Sequence, residues 1–419
     1  MKIFFALSLF ATMMLIATES YSQIAKHIII IRTDDIGANY NIDHTIPTPN
    51  IDRMASQGLT ITTNYALIAC APDRVMFETM NYNQYIGIYK NPAGVGLPNT
   101  GIPTKIKPVS KYFQDAGYRT GFVGKWHIGD KADQLPPKRG YDESVYFPGG
   151  GRKYDPPTAL YRNGNKFTTH ERLDTIWQEE AVAFIKRNKN TAFFLAVNTN
   201  SGHKPLSPSA QQLARCTIGT LEQREFCGLV TGVDDLTGAI LDNAPPNTLI
   251  IFDSDNGCMN GGACNNGPLR GGKGEAVGEA GARVPGIVWW KGVLPAGQKR
   301  TVPTITMDLS TTALQAAGIA LPKKISGIGQ LNYWKTNKPN PTRCLFWGTT
   351  QTRGAVRCGN FKYYTDDGVM YDVVHDISEA RDLSKSNPTM TAKLIKALKT
   401  WQSKLPPPNY QTFPGGGEE

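Results

Sequence analysis

The chain is 419 residues long, 40% hydrophobic and 19% charged, and carries a formal net charge of +10. That length is enough for one large core plus a smaller appended unit. The basic balance favours an anionic substrate or surface. With no long Lys/Arg block or nucleic-acid motif, a polyanionic glycan fits as well as nucleic acid, and a merely solvated basic surface is the plain alternative.

Residues 1–22 read as a secretory signal. Lys2 supplies the positive end, residues 4–17 form a charge-free, mainly apolar run, and Ser20-Tyr21-Ser22 offers a small-x-small cleavage site before Gln23. The run is short for a membrane span, and no later segment is long and apolar enough to cross a bilayer. The protein is therefore expected to be secreted or periplasmic. Next, short apolar runs alternate with helical patterns, which predicts an α/β fold with a large, mostly parallel sheet sandwiched by helices over residues 23–335. Strands are expected over 28–31, 120–123, 192–197 and 248–252. Behind them stand Asp34 and Asp35, then Lys125 and His127, then His203, then Asp255 and Asn256. In open α/β sheets ligands bind beyond the carboxyl ends of strands, so these polar groups are expected to converge on one site. Helices are expected over 50–58, 175–188 and 226–241, with apolar stripes that are core faces. The chain turns polar and proline-containing near 331–341, a boundary. Residues 336–410 then predict a small antiparallel sheet, with strands over 344–347, 355–357, 361–365 and 369–372. A helix over 390–405 follows, stopped by Pro406-Pro407-Pro408. Residues 411–419 are expected to be a disordered tail.

Asp34-Asp35 and Asp255-Asn256 offer hard oxygen ligands without sulfur or histidine in the same motifs, a set that suits calcium or magnesium. Taken alone, each pair is an ordinary turn or helix cap; both following strand patterns is what points to a metal. Lys125 and His127, two apart beyond a strand, can both face a bound anion, the first as a fixed cation and the second as a proton carrier. His203 offers a second acid–base group, and Lys273 sits in the glycine-rich Gly271-Gly272-Lys273. Singly, each of these is more often a surface or satisfied core residue. Cys70-Ala71-Pro72-Asp73-Arg74 matches a Cys-x-Pro-x-Arg processing signal, at which modifying enzymes oxidise the thiol to the aldehyde formylglycine; the hydrated aldehyde is a gem-diol nucleophile. If Cys70 is set aside for this, the other six cysteines fall into three local pairs, Cys216–Cys227, Cys258–Cys264 and Cys344–Cys358, the simplest choice in an oxidising compartment.

Together these motifs resemble the formylglycine-dependent sulfatases of the alkaline-phosphatase superfamily over nearly the whole chain. The resemblance rests on Asp34 to Gly37, Thr48 to Asp52, Cys70 to Arg74, Gly117 to Gly129, Ser254 to Gly257, Pro268 to Lys273 and Arg283 to Pro285, with Ala355 to Arg357 and Met370 to Asp372 in the small domain. It implies an alkaline-phosphatase-like fold and a sulfuric ester hydrolase acting on sulfated carbohydrate, without nucleic acid, and with a formylglycine-generating enzyme as a partner. It also implies roles. Formylglycine at Cys70 is the nucleophile, and one calcium ion is held by Asp34, Asp35, Asp255 and Asn256. Arg74 steadies the diol, and Lys125 and Lys273 grip sulfate oxygens. His203 assists the leaving group, and His127 takes the proton that lets sulfate depart. The chain departs from the family pattern at Asp73, a negative charge expected beside the site, at Phe77 to Asn81 and at Ala280. Two alternatives stay open: a phosphate or phosphonate ester hydrolase of the same superfamily and, on the altered segment after Arg74, a catalytically silent, polyanion-binding relative. Specificity is expected in the loops 82–104, 146–161 and 200–216, where Arg152, Lys153 and Lys204 can meet neighbouring anionic groups.

Overall fold

A computed structural model describes residues 24–41, 43–91, 101–259, 261–275 and 278–408. The expected signal and tail lie outside them. In chain order the elements are β1 (His27–Thr33), α1 (Pro49–Gln57), β2 (Leu59–Ile61), β3 (Asn64–Tyr65), α2 (Cys70–Thr79), α3 (Val109–Asp115), β4 (Arg119–Lys125), β5 (Glu143–Phe147), β6 (Leu160–Arg162), β7 (Asn165–Phe167), α4 (Leu173–Asn188), β8 (Phe193–Asn198), α5 (Ala210–Ala214), α6 (Leu221–Asn243) and β9 (Thr248–Ser254). There follow β10 (Arg283–Val284), β11 (Ile287–Trp289), β12 (Gln298–Arg300), β13 (Thr304–Ile305), α7 (Thr306–Ala316), α8 (Leu331–Thr336), β14 (Cys344–Gly348), β15 (Gly354–Cys358), β16 (Phe361–Tyr364), β17 (Val369–Asp372) and α9 (Pro388–Gln402).

The main sheet runs in the order β12-β2-β11-β9-β1-β8-β4-β5-β6-β7. Its centre, β9-β1-β8-β4-β5, is parallel. Antiparallel pairings bring in β11 on one side and the β5-β6-β7 meander on the other, so the sheet is mixed toward its edges. The continuous apolar runs of the central strands follow from burial on both faces. Ile28 and Ile30 join the core under α3 and α7, while Ile29 and Ile31 join the one under α4 and α6. Each such buried side chain contributes about 2 kcal/mol. A short third sheet, β10-β3-β13, was not legible in the sequence.

The four-stranded antiparallel sheet β14-β15-β16-β17 forms where expected. Leu394, Leu398 and Trp401 of α9 pack in one cluster with Val356 and Met370 of this sheet and with Tyr65, Leu67 and Met76 of the main unit. The three expected disulfides form: Cys216–Cys227, Cys258–Cys264 and Cys344–Cys358. Cys344 and Cys358 are register partners in β14 and β15, so their bridge staples neighbouring strands. Among the described residues no helix is long and apolar enough to cross a membrane.

Candidate active site

The carboxyl ends of β1, β8, β4 and β9 lie side by side, and each delivers a polar group. Asp34 and Asp35 follow β1, with Asp35 in the left-handed region at φ 59°, a conformation an aspartate tolerates better than most residues. Lys125 is the last residue of β4 rather than part of the loop after it, because the strand runs on past 123. Gly124 pairs with Asn198 and Lys125 with Phe147. Gly124 permits this close approach: at φ 116°, an added Cβ would lie 1.8 Å from the Asn198 carbonyl oxygen. Cys70 comes from the side, as the first residue of α2. Pro72 sits in that helix's first turn, where a missing N–H costs nothing.

These groups meet. The Cys70 thiol lies 3.4 Å from Asp34 Oδ1. Lys125 Nζ reaches Asp34 Oδ2 at 2.6 Å. Arg74 spans the floor, donating from Nε to Asp255 Oδ2 at 2.9 Å and from one terminal nitrogen to the Lys125 carbonyl at 2.9 Å. Lys273 Nζ binds Asp35 at 2.7 Å, and the Asn256 amide donates to Asp35 Oδ1 at 2.6 Å. Potential ligand atoms of Asp34, Asp35, Cys70 and Asp255 all lie within 4.8 Å of one another, and a nitrogen of His203 lies equally close to Asp34 and Cys70. The sequence motifs had kept histidine apart from these carboxylates; the β8 end supplies it. His203 Nδ1 faces the Lys204 carbonyl at 2.6 Å, so Nδ1–H donates there. His127 is half-buried and leans on the loop after β5. Its backbone N–H donates to the Pro148 carbonyl at 3.1 Å, and a Cβ on Gly150 would sit 2.8 Å from its Nε2.

The electrostatics are those of a site short of positive charge. Burial pushes the Asp255 carboxyl above the usual range, and neighbouring Asp34 pushes it further, against the pull of Arg74, Lys125 and Lys273. For Lys125, burial pulls down but the Asp34 carboxylate and Cys70 more than offset it, so the ammonium is held above its ordinary value. Asp255 Oδ1 and Asn256 Oδ1 are buried without a hydrogen-bond partner. Buried polar atoms are rarely left so. Oxygen donors aimed inward and unpartnered fit a hard divalent cation.

One expectation is corrected. Asp73 is not a charge facing the site. Its carboxylate turns into the core, accepting from the Leu67 N–H at 2.9 Å and the Thr306 hydroxyl at 2.7 Å, and pairs with Arg32 at 2.9 Å. Arg32 also holds Asp253 at 2.7 Å and stacks over Phe77. Burial pushes the Asp73 carboxyl up to about 8, with Arg32 pulling the other way. Arg32 and Asp253 were missed by the sequence reading; they anchor α2 beneath Cys70. The available signal was a charge inside each of two buried strand patterns, and the two are register partners. The departing segment after Arg74 is core: Glu78 accepts from the Tyr141 hydroxyl at 2.6 Å.

Residues 26–319 match the Sulfatase family model. The chain belongs to the sulfatase family. Membership makes it a sulfuric ester hydrolase by descent. It is 30% identical to N-acetylgalactosamine-6-sulfatase of Sus scrofa over 75% of this chain and 66% of that protein, and 30% identical to the Mus musculus enzyme over 80% and 71%. The chain thus spans about two thirds of the length of these relatives. Among solved structures, Ps i-CgsB in complex with k-i-k-neocarrahexaose superposes with a TM-score of 0.86 at 29% identity, covering 93% of this chain and 95% of that one.

Proposed function

We propose that this sulfatase is exported and removes sulfate from sulfated carbohydrate, using formylglycine at position 70 and one calcium ion. The observation that carries the reading is the position of Cys70, with its thiol 3.4 Å from Asp34 inside the oxygen-donor cluster. Sulfated carbohydrate is supported by the printed names of the relatives, a hexosamine sulfatase and an enzyme bound to a neocarrahexaose.

The thiol stands where the hydrated aldehyde would be after a formylglycine-generating enzyme has acted. That group would supply a nucleophile whose second hydroxyl lets sulfate leave without water attacking sulfur. Asp34, Asp35, Asp255 and Asn256 would hold the calcium ion, which would supply fixed positive charge for sulfate oxygens. The chain's own residues do the rest. Lys125 and Lys273 orient and neutralise the sulfate. Arg74, locked to Asp255, fixes residue 70 and the carboxylates in one geometry. His203, in its protonated form with Nδ1–H held on the Lys204 carbonyl, gives its Nε2 proton to the departing sugar oxygen and is left as the neutral Nδ1–H tautomer, a step typically worth about 10²–10⁴ in rate. His127 accepts the proton released when sulfate is expelled.

The test is a panel of sulfated oligosaccharides and an aryl sulfate, run beside the matched aryl phosphate. Sulfate release with little phosphate release is expected. A clear preference for the phosphate ester would overturn the reading in favour of the phosphohydrolase branch of the superfamily.

A further inference from the structure

Partly buried arginines in this protein are spoken for. Arg32, Arg53, Arg74, Arg172, Arg270 and Arg343 pair with carboxylates. Arg139, Arg224, Arg283, Arg300 and Arg357 donate to backbone carbonyls. Among the described residues Arg152 is the exception. Its Nε is buried without a hydrogen-bond partner, and no carboxylate pairs with its guanidinium. The Phe147 ring lies 5.2 Å from the guanidinium carbon. Burial pulls its pKa below the usual value, with Tyr161 set against that. A desolvated guanidinium with no counter-charge is costly unless something else supplies the anion.

Its place says what that is. Phe147 ends β5 and is the register partner of Lys125, whose ammonium lies in the site. Pro148 and Gly150 flank His127, and a Cβ on Gly149 would lie 3.6 Å from an Arg152 terminal nitrogen. Arg152 is therefore carried by the same triple-glycine loop that packs against His127. The other two basic candidates lack these properties. Lys204 is exposed and paired with Glu222 at 2.7 Å, and Lys153 is exposed.

We propose that Arg152 is a specificity determinant that binds a second anionic group of the carbohydrate, a carboxylate or a further sulfate beside the ester being cleaved. Its planar fork presents paired N–H donors that match either oxyanion, and the Phe147 face holds it flat. The inference rests on the sulfatase reading above and extends it to the substrate's charge pattern.

The experiment compares three carbohydrate sulfate esters with the same scissile group: one with a neutral neighbour, one with a second sulfate, one with a uronate. kcat/KM is measured for the wild type, Arg152→Met and Arg152→Lys. The readout is the ratio of each doubly anionic substrate to the neutral-neighbour one, a quantity independent of how much of a preparation is folded. The wild type should prefer a doubly anionic substrate, and Arg152→Met should lower that ratio roughly tenfold or more, mainly through KM, with Arg152→Lys between. The substrate whose advantage is lost identifies the group as carboxylate or sulfate. Equal ratios in the wild type and Arg152→Met for both substrates would overturn the inference while leaving the sulfatase reading intact. No sulfate released by the wild type from any of the three would overturn both.

Discussion

Around Glu279 the small C-terminal sheet meets the main unit through charges as deeply buried as those at the strand ends, yet the two clusters are finished differently. At the sheet contact every carboxylate oxygen has a partner. Glu279 accepts from Lys362 at 2.7 Å and from the Tyr65 hydroxyl at 2.5 Å, and Arg357 donates to that same hydroxyl. Glu379 accepts from the Tyr364 hydroxyl at 2.5 Å and from the Glu279 N–H at 2.9 Å. Burial would raise Glu279, but Lys362 and Arg357 more than offset it and hold the carboxyl below its ordinary range. At the strand ends the balance goes the other way: Asp255 is pushed up, and Asp255 Oδ1 and Asn256 Oδ1 have no partner. A completed buried network holds a structure together, whereas one left open is completed by a ligand. Burial and charge alone do not separate the two.

The contrast can be broken by substitution. Cys70→Ala should lower sulfate release roughly 10³-fold or more with the melting temperature little changed; retained turnover would remove residue 70 from the chemistry. Lys362→Met should do the reverse, costing about 3–5 kcal/mol in a denaturant titration by stranding Glu279, while kcat per folded molecule holds. If Lys362→Met instead reduced kcat at unchanged stability, the division between the clusters would fail. A strong chelator should lower both activity and melting temperature, with calcium restoring them; for a site filled about 100-fold above its Kd the stability lost is roughly 3 kcal/mol. Lys362→Met should show the same chelator response, since its cluster has no open donors.

His27 gives the smallest effect and belongs to neither cluster. It is buried, with its ring 4.5 Å from that of Phe193. Burial, and then Lys26, lower its pKa from 6.5 to about 4. Between those values the unfolded chain binds a proton that the folded one resists, so stability falls as pH drops from about 6.5 through about 4. His27→Gln should flatten that part of the acid arm in urea midpoints taken at intervals across it; an unchanged slope would mean the imidazole titrates normally.

Much of this was legible because chemistry and periodicity coincide in the chain. The runs before Asp34, Lys125, His203 and Asp255 are apolar on both faces, so each motif could be placed at a strand end, and strand ends of a parallel sheet share one rim. The small sheet was readable as four short strand patterns between residues 344 and 372. What escaped depends on distant register. Arg32 and Asp253 are adjacent only because β1 and β9 pair, so the anchor that turns Asp73 inward could not be read from the pentapeptide. The short β10-β3-β13 sheet has strands of two residues, too brief for any period to register.

The central claim is that residue 70 is the oxidised nucleophile within an oxygen-lined cation site. Mass spectrometry of the peptide bearing Cys70, taken from active native enzyme, tests it most directly. Conversion to formylglycine lowers the peptide mass by about 18 Da, thiol giving way to aldehyde, and that loss is the expected result. A wholly unmodified thiol in enzyme that turns over sulfate esters would contradict it.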